Sequence, residues 1–238
     1  TIVGAYLGES RPMLRYSLKA LAPPIPIPYS EDPNSEFYKA AKEVYDIGVS
    51  QNAALQATAR WWADAGGPGV GYPAPYHLAL IVTSVLESHH SGLWKAAEVY
   101  AKTGIGMKDG PIITFRSKYH YNLLRPITYI RNVMGFTSWS PIIPTPNHPE
   151  FPAGHAVTNS AVIGILNSVF GDNFQFTLRT YDYLGLPSRS FNSFNELSKE
   201  MSDSRVYAGI HYQSTCDNSN IQGRQVAENV LRIVKFHK

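Results

Sequence analysis

Cysteine is almost absent from this chain: Cys216 is the one example in 238 residues. No intrachain disulfide can form, and Cys216 reads as a buried, inert thiol. No apolar run reaches the roughly 18 residues that a transmembrane helix needs, so no membrane span is expected. Charge is sparse at 16% of residues, and Lys plus Arg exceed Asp plus Glu by only 21 to 18. Without a basic cluster, nucleic acid is not an expected partner. Neither Gly-x-Ser-x-Gly nor His-Glu-x-x-His occurs, which argues against serine hydrolase and zinc protease chemistry. His89 and His90 are adjacent, so on a helix they point apart, and no third ligand lies near in sequence. The run Gly67-Pro-Gly-Val-Gly71 lacks the Lys-Ser/Thr and the preceding strand of a nucleotide loop.

What the chain does have is apolar content of 44%, enough for one sizeable core. Residues 1–35 are irregular and carry Pro23, Pro24, Pro26, Pro28 and Pro33; they read as an arm laid over a partner surface. Helical patterns follow at 36–47, 53–65, 76–88, 93–102, 112–124 and 127–134. Residues 66–75 read as a Gly/Pro loop. Val157, Ala161, Val162, Ile165, Leu166, Val169 and Phe170 recur at helical steps, and Gly171 stops the run. Ser193 and Glu196 have capping-box spacing for a helix toward Arg205. Ile221, Val226, Val230 and Val234 mark a C-terminal amphipathic helix. Trp61, Trp62 and Trp94 are expected in packing roles. No strand pattern is evident. The expected fold class is all-α, a helical bundle over 36–238 with its site between helices.

Chemistry concentrates in three segments. They are Lys118 to Pro126, His148 to His155, and Ser204 to His211. Together they supply one Lys, two Arg, several His and a Pro-Ala-Gly-His turn. Arg gives fork-shaped donors, Lys a point charge, and backbone N–H groups neutral donors, which suits a tetrahedral oxyanion. A His can bond the central atom or move a proton. Lys118 and Arg125 are seven residues apart, so on one helix they would share a face, although Pro126 puts Arg125 at a helix end. Gly154 and His155 open a helix, whose N-terminal N–H groups favour an anion. A helix ending near Arg205 and a turn at Gly209 would bring His211 back to the pocket. Each feature alone is ordinary, since a Lys and an Arg two turns apart usually mark a solvated face. Their combined order is not.

That order resembles the superfamily of type 2 phosphatidic acid phosphatases and vanadium-dependent haloperoxidases. Its pattern is Lys-x6-Arg-Pro, then Pro-Ser-Gly-His, then Ser-Arg-x5-His. Lys118, Arg125, Pro126, Pro152, Gly154, His155, Ser204, Arg205 and His211 match it. Ala153 departs, standing where the pattern has Ser. Thr215 stands four residues after His211, where the phosphatases usually carry Asp. The stretch His148-Pro-Glu-Phe-Pro-x-Gly-His155 is similar to the haloperoxidase form, and residues 37–64, ending Ala-Arg-Trp-Trp-Ala-Asp, resemble a helical segment of the bacterial members.

The resemblance implies vanadate as prosthetic group, with hydrogen peroxide and halide as substrates. It implies that His211 bonds vanadium, that Lys118, Arg125, Arg205, Gly154 and position 153 surround its oxygens, and that His155 is the acid–base. It places Phe115 and His148 at the halide pocket. Relatives that oxidise chloride tend to carry Phe at the position of His148, so iodide or bromide is the expected halide. Bacterial members have a further helical region before the matched part, so a companion N-terminal fragment or a homo-oligomer is also expected. The start at Thr1, without a leader, fits a fragment or a processed chain, and a periplasmic or secreted location is the expectation. Three other readings stay open: a soluble acid phosphatase with His211 as nucleophile, a non-catalytic oxyanion binder suggested by Ala153, and a purely structural helical module, which would leave the charged convergence unexplained.

Overall fold

A computed structural model of the chain describes residues 3–15, 25–67 and 71–236. Eight α-helices occur among them: α1 Glu36–Val49, α2 Ala53–Trp61, α3 Ala74–Ser88, α4 Leu93–Tyr121, α5 Pro126–Asn132, α6 Gly154–Phe170, α7 Phe194–Tyr207 and α8 Gln213–Ile233. Two small antiparallel pairs add to them, β1 Ala65–Gly67 with β2 Gly71–Pro73, and β3 Phe176–Leu178 with β4 Arg189–Phe191. The fold is therefore mostly helical, and the expectation of no strands is corrected. Three-residue strands are too short to carry a period-two signal. The Gly/Pro loop expected over 66–75 overlaps the first of these strand pairs at its described residues.

Local chemistry explains the helix starts. The Ser35 hydroxyl accepts from Tyr38 N at 3.1 Å and opens α1. Phe37, Ala41 and Val44 then bury one face of that helix. Asn52 caps α2 through Ala54 N and Leu55 N. Ser193 caps α7 through Glu196 N, and the Glu196 carboxylate reaches back to Asn192 N.

The two helices expected at 93–102 and 112–124 are one, α4, which runs 29 residues straight through Pro111. Tertiary packing overrides the proline. Val99, Thr103, Gly106, Gly110, Ile113 and Ser117 form a buried stripe at three- and four-residue steps, and its glycines let α6 approach. Gly106 lies against Ile165 and Ala161, and Gly110 lies against Thr158.

Helix α6 is the centre of the molecule. It packs on α8 most extensively, then on α4 and α7, and it contributes to three of the apolar clusters. Trp61 and Trp62 are in the core as expected, but Trp94 is 90% exposed at the first turn of α4. Cys216 is fully buried. His89 ends α3, and no metal-binding cluster occurs among the described residues.

Described parts of the N-terminal arm lie on the chain's own α4. The Asp109 carboxylate accepts from Met13 N at 2.6 Å and Leu14 N at 3.0 Å. Arg116 Nε donates to Gly8 O at 3.2 Å. Pro23 and Pro24 fall outside the described residues.

The α6–α8 contact depends on absent side chains. A Cβ on Gly223 would press into Val157 O and Ser160, and one on Gly164 would meet the Ala227 methyl. The obstacle at Gly223 is a backbone carbonyl, which cannot rotate away. We expect Gly223→Ala to destabilise the fold by about 1–3 kcal/mol, as overpacking does. Urea denaturation of the variant measures this; an unchanged midpoint would show that the helices can separate freely.

Candidate active site

The three chemical segments meet where α4, α6, α7 and α8 converge. Lys118 lies in the last turn of α4, which ends at Asn122 in the left-handed conformation with φ 48°. Arg125 is therefore not on the same helix as Lys118, which corrects the shared-face expectation. It is the N-cap of α5, held extended at φ −70°, ψ 149° by Pro126. A Pro-rich turn with a cis Phe151–Pro152 bond then leads to Ala153, the N-cap of α6. Arg205 sits near the end of α7, Gly209 turns the chain with φ 82°, and His211 stands just before α8.

Glu150 ties these pieces together. It is fully buried. Its Oε1 accepts from His211 Nδ1 at 2.8 Å and Tyr212 N at 3.2 Å, and its Oε2 accepts from Thr215 Oγ1 at 2.9 Å. With Nδ1 donating to Glu150, His211 presents its Nε2 lone pair to the site. Thr215 stands where the phosphatase pattern has Asp, and the carboxylate that orients His211 comes instead from the turn before α6.

Three cations surround this pair. Lys118 Nζ donates to Pro149 O at 2.7 Å, Glu150 O at 3.0 Å and Pro152 O at 2.6 Å. Three acceptors require the three hydrogens of an ammonium, so Lys118 clamps the turn in its charged form. Arg125 donates from Nε to His148 O at 3.0 Å and from Nη1 to Ile210 O at 2.8 Å and His211 Nε2 at 3.0 Å. Its Nη2 faces His148 Nδ1 at 3.0 Å. Arg205 donates to Ser204 Oγ and Trp62 O, and Nη1 has no further partner among the described residues.

The N-terminus of α6 completes this wall. Ala153 offers no side-chain cap, so the first N–H groups of the helix stay free of one. Its own N–H donates to Ser219 Oγ at 2.8 Å. His155 follows, with Nε2 at 3.2 Å from Asp64 Oδ2, an ion-pair distance whose angle is poor for a hydrogen bond. Asp64 Oδ1 accepts from His77 Nδ1 at 2.7 Å. Gly154, His155, Thr114 and Phe115 line an apolar cavity of about 150 Å³. The rings of Phe115 and His148 meet edge to face at 5.1 Å.

Burial and positive neighbours set the protonation states. Burial, with Arg125 and Lys118, holds His211 well below its usual value. Burial and Arg205 lower His155. Burial, Lys118 and Arg125 push His148 down to about 3. Burial also depresses Lys118, Arg125 and Arg205. Glu150 is pushed up to about 7 by burial, against the pull of Arg125 and Lys118. Burial would raise Asp64 too, but its two histidine partners win and keep it ionised. The three donors on Glu150 favour its ionised form, so three cations face two carboxylates, an excess that suits an oxyanion.

All the predicted site residues fall in this region. Glu150 and Asp64 lie within the sequence motifs, and neither is among the expected site residues. No local pattern marks either one, because their partners lie far away in sequence.

Residues 98–238 match the family model of the VCPO second helical-bundle domain. A vanadium-dependent bromoperoxidase from Corallina officinalis is 33% identical over 97 residues, covering 37% of this chain and 16% of that protein. The crystal structure of a bacterial vanadium-dependent iodoperoxidase superposes with TM-score 0.90 at 32% identity, covering 98% of this chain and 58% of that one. A bacterial vanadium-dependent chloroperoxidase in its holo form shares the fold, with TM-score 0.74 at 20% identity, covering 97% of this chain and 55% of its own. The chain thus spans little more than half the length of these solved structures.

The histidine environments give a pH prediction. His148, His155 and His211 bind protons less readily in the fold than in the unfolded chain. Below the ordinary imidazole value of 6.5, unfolding takes up protons, so stability falls as pH falls. Glu150 has the opposite sign between its ordinary 4.5 and about 7, one group against three. We expect Tm to drop from pH 6.5 toward about pH 4, and to drop less steeply in His148→Asn. Calorimetry across that range checks it; a Tm that holds or rises would contradict the buried neutral histidines.

Proposed function

Because this chain belongs to the vanadium-dependent haloperoxidase family, we propose that it oxidises iodide or bromide with hydrogen peroxide, using vanadate as prosthetic group. The balanced reaction takes hydrogen peroxide, halide and one proton to hypohalous acid and water. The observation that carries the reading is the convergence of Lys118, Arg125, Arg205 and the α6 N-terminus on a histidine whose Nε2 is free of a proton. This donor set fits a vanadate: an excess of buried positive charge, uncapped N–H groups, an Arg205 Nη1 without a partner among the described residues, and one imidazole lone pair, which in this structure accepts from Arg125 Nη1.

His211 Nε2 would bond the metal, with Glu150 fixing the ring and its tautomer. Arg125, Arg205 and the Gly154 N–H would hold the oxygens. Lys118 has its three donors on carbonyls, so it acts on a bound anion through its charge. Vanadate, when bound, supplies a Lewis acid that activates peroxide without changing oxidation state. His155 takes the peroxide proton: burial keeps it a base, and Asp64 behind it stabilises the cation it becomes. The apolar cavity meets the site at Gly154 and His155. Phe115 and His148 form the wall that the halide meets, and the small departure at His148 supports the softer halides over chloride. A phosphatase would use the same oxyanion pocket, but the family matched is the haloperoxidase one.

Vanadate titration tests the reading. His211→Ala should lose both vanadate retention by ultrafiltration and iodide oxidation. Ala153→Ser should bind vanadate more tightly, by up to roughly ten- to a hundredfold, because a hydrogen bond to a charged group is worth about 1.5–3 kcal/mol. Phosphomonoester cleavage without iodide oxidation in the vanadate-loaded chain would overturn the proposal.

A further inference from the structure

We infer that the N-terminal strap, residues 3–14, sets the position of Phe115, which lines the cavity and carries the ring contact to His148, and that Gly4 is a specificity-determining residue for the halide. The inference rests on the haloperoxidase reading of the site. It starts from the way two consecutive strap residues hold Phe115 and the backbone of Asn147, the residue before His148. Gly4 lies directly on the Phe115 ring, so closely that a Cβ would overlap three of its carbons. Its φ of 73° is one that side chains rarely adopt. Val3 N donates to Asn147 O at 3.1 Å, so the strap also grips the residue before His148.

The strap is pinned along its length. Tyr119 Oη donates to Val3 O at 2.5 Å. Leu7 N donates to Gly4 O at 3.0 Å, closing the turn that presents Gly4 to the ring. Gly8 lies on the Arg116 backbone as closely as Gly4 lies on Phe115. Further on, the Asp109 carboxylate takes two strap N–H groups. A segment fixed at four places along α4 holds its contact with Phe115 rather than brushing past it.

Consequences for the site follow from the geometry. Phe115 has Gly4 on one side, and the cavity with His155 and Gly154 on another. The edge-to-face contact with His148 fills a third. A side chain at position 4 has no room except by pushing the ring away from the strap, toward the cavity and His148. The cavity is small, so displacement by about a methylene's width penalises iodide, the larger and softer anion, more than bromide. A methylene in an apolar pocket changes discrimination by about tenfold at the low end. Gly4 acts through Phe115 and touches no reactant, so it is a positioning residue.

The test uses the vanadate-loaded chain and its Gly4→Ala variant, with Tyr119→Phe as a milder loosening of the same strap should the first fail to fold. Three quantities are read: the His148 ring-proton resonance in histidine-labelled protein, KM and kcat for iodide and bromide, and vanadate retention. Gly4→Ala should shift the His148 resonance and lower the iodide-over-bromide ratio of kcat/KM by about tenfold, mainly through KM. Vanadate retention should not change. Tyr119→Phe should move both readouts the same way by less. An unmoved His148 resonance with an unmoved halide ratio would overturn the inference. A moved resonance with an unchanged ratio in active enzyme would overturn the part concerning halide choice. A moved resonance in a chain that oxidises no halide would uphold the positioning and count against the haloperoxidase reading instead.

Discussion

Everything at this site depends on one buried carboxylate. Lys118, Arg125 and Arg205 are each at most 6% exposed, and removing a cation from water costs several kcal/mol even after relaxation. Such a cluster cannot persist without opposing charge. Glu150 supplies it at the centre, and Asp64 supplies it on the Arg205 and His155 side. Glu150 is fully committed, with donors from His211, Tyr212 and Thr215. The balance is deliberately incomplete: three positive groups against two negative ones leave the site short of one anion.

The same residue explains why the elements sit as they do. The turn that carries Glu150 also carries the three carbonyls that hold Lys118, and it ends in the N-cap of α6. One short segment therefore neutralises the cations, orients the histidine, anchors the lysine and aims a helix terminus. The glycines of α4 and α8 allow α6 to sit close enough for those roles to coincide. A displacement of α6 would move Gly154, His155 and the cavity together.

Much of this was legible in the sequence, and the unread part has physical causes. The start of α7, the stop at Gly171 and the turn at Gly209 rest on local rules of capping and positive φ, which a sequence states directly. The fusion of two expected helices into α4 does not, because the packing of Gly106 and Gly110 against α6 overrides Pro111. The strand pairs 65–67 with 71–73 and 176–178 with 189–191 are too short for periodicity to register. Within the site, the cations and histidines could be named from their spacing. Their partners could not: Asp64 lies 91 residues from His155 and Glu150 lies 61 residues from His211, and no pattern within either segment announces a long-range carboxylate.

The most direct test of Glu150 as the central counter-charge is the stability of Glu150→Gln with and without vanadate. The substitution keeps the shape and removes the charge. Breaking a buried ionic arrangement by removing one partner costs about 3–5 kcal/mol. The account predicts a loss of that order in anion-free protein. It also predicts that vanadate restores more stability to the variant than it adds to the parent chain, because the bound anion replaces the missing charge. A variant as stable as the parent, or one stabilised by vanadate to the same extent, would contradict the account.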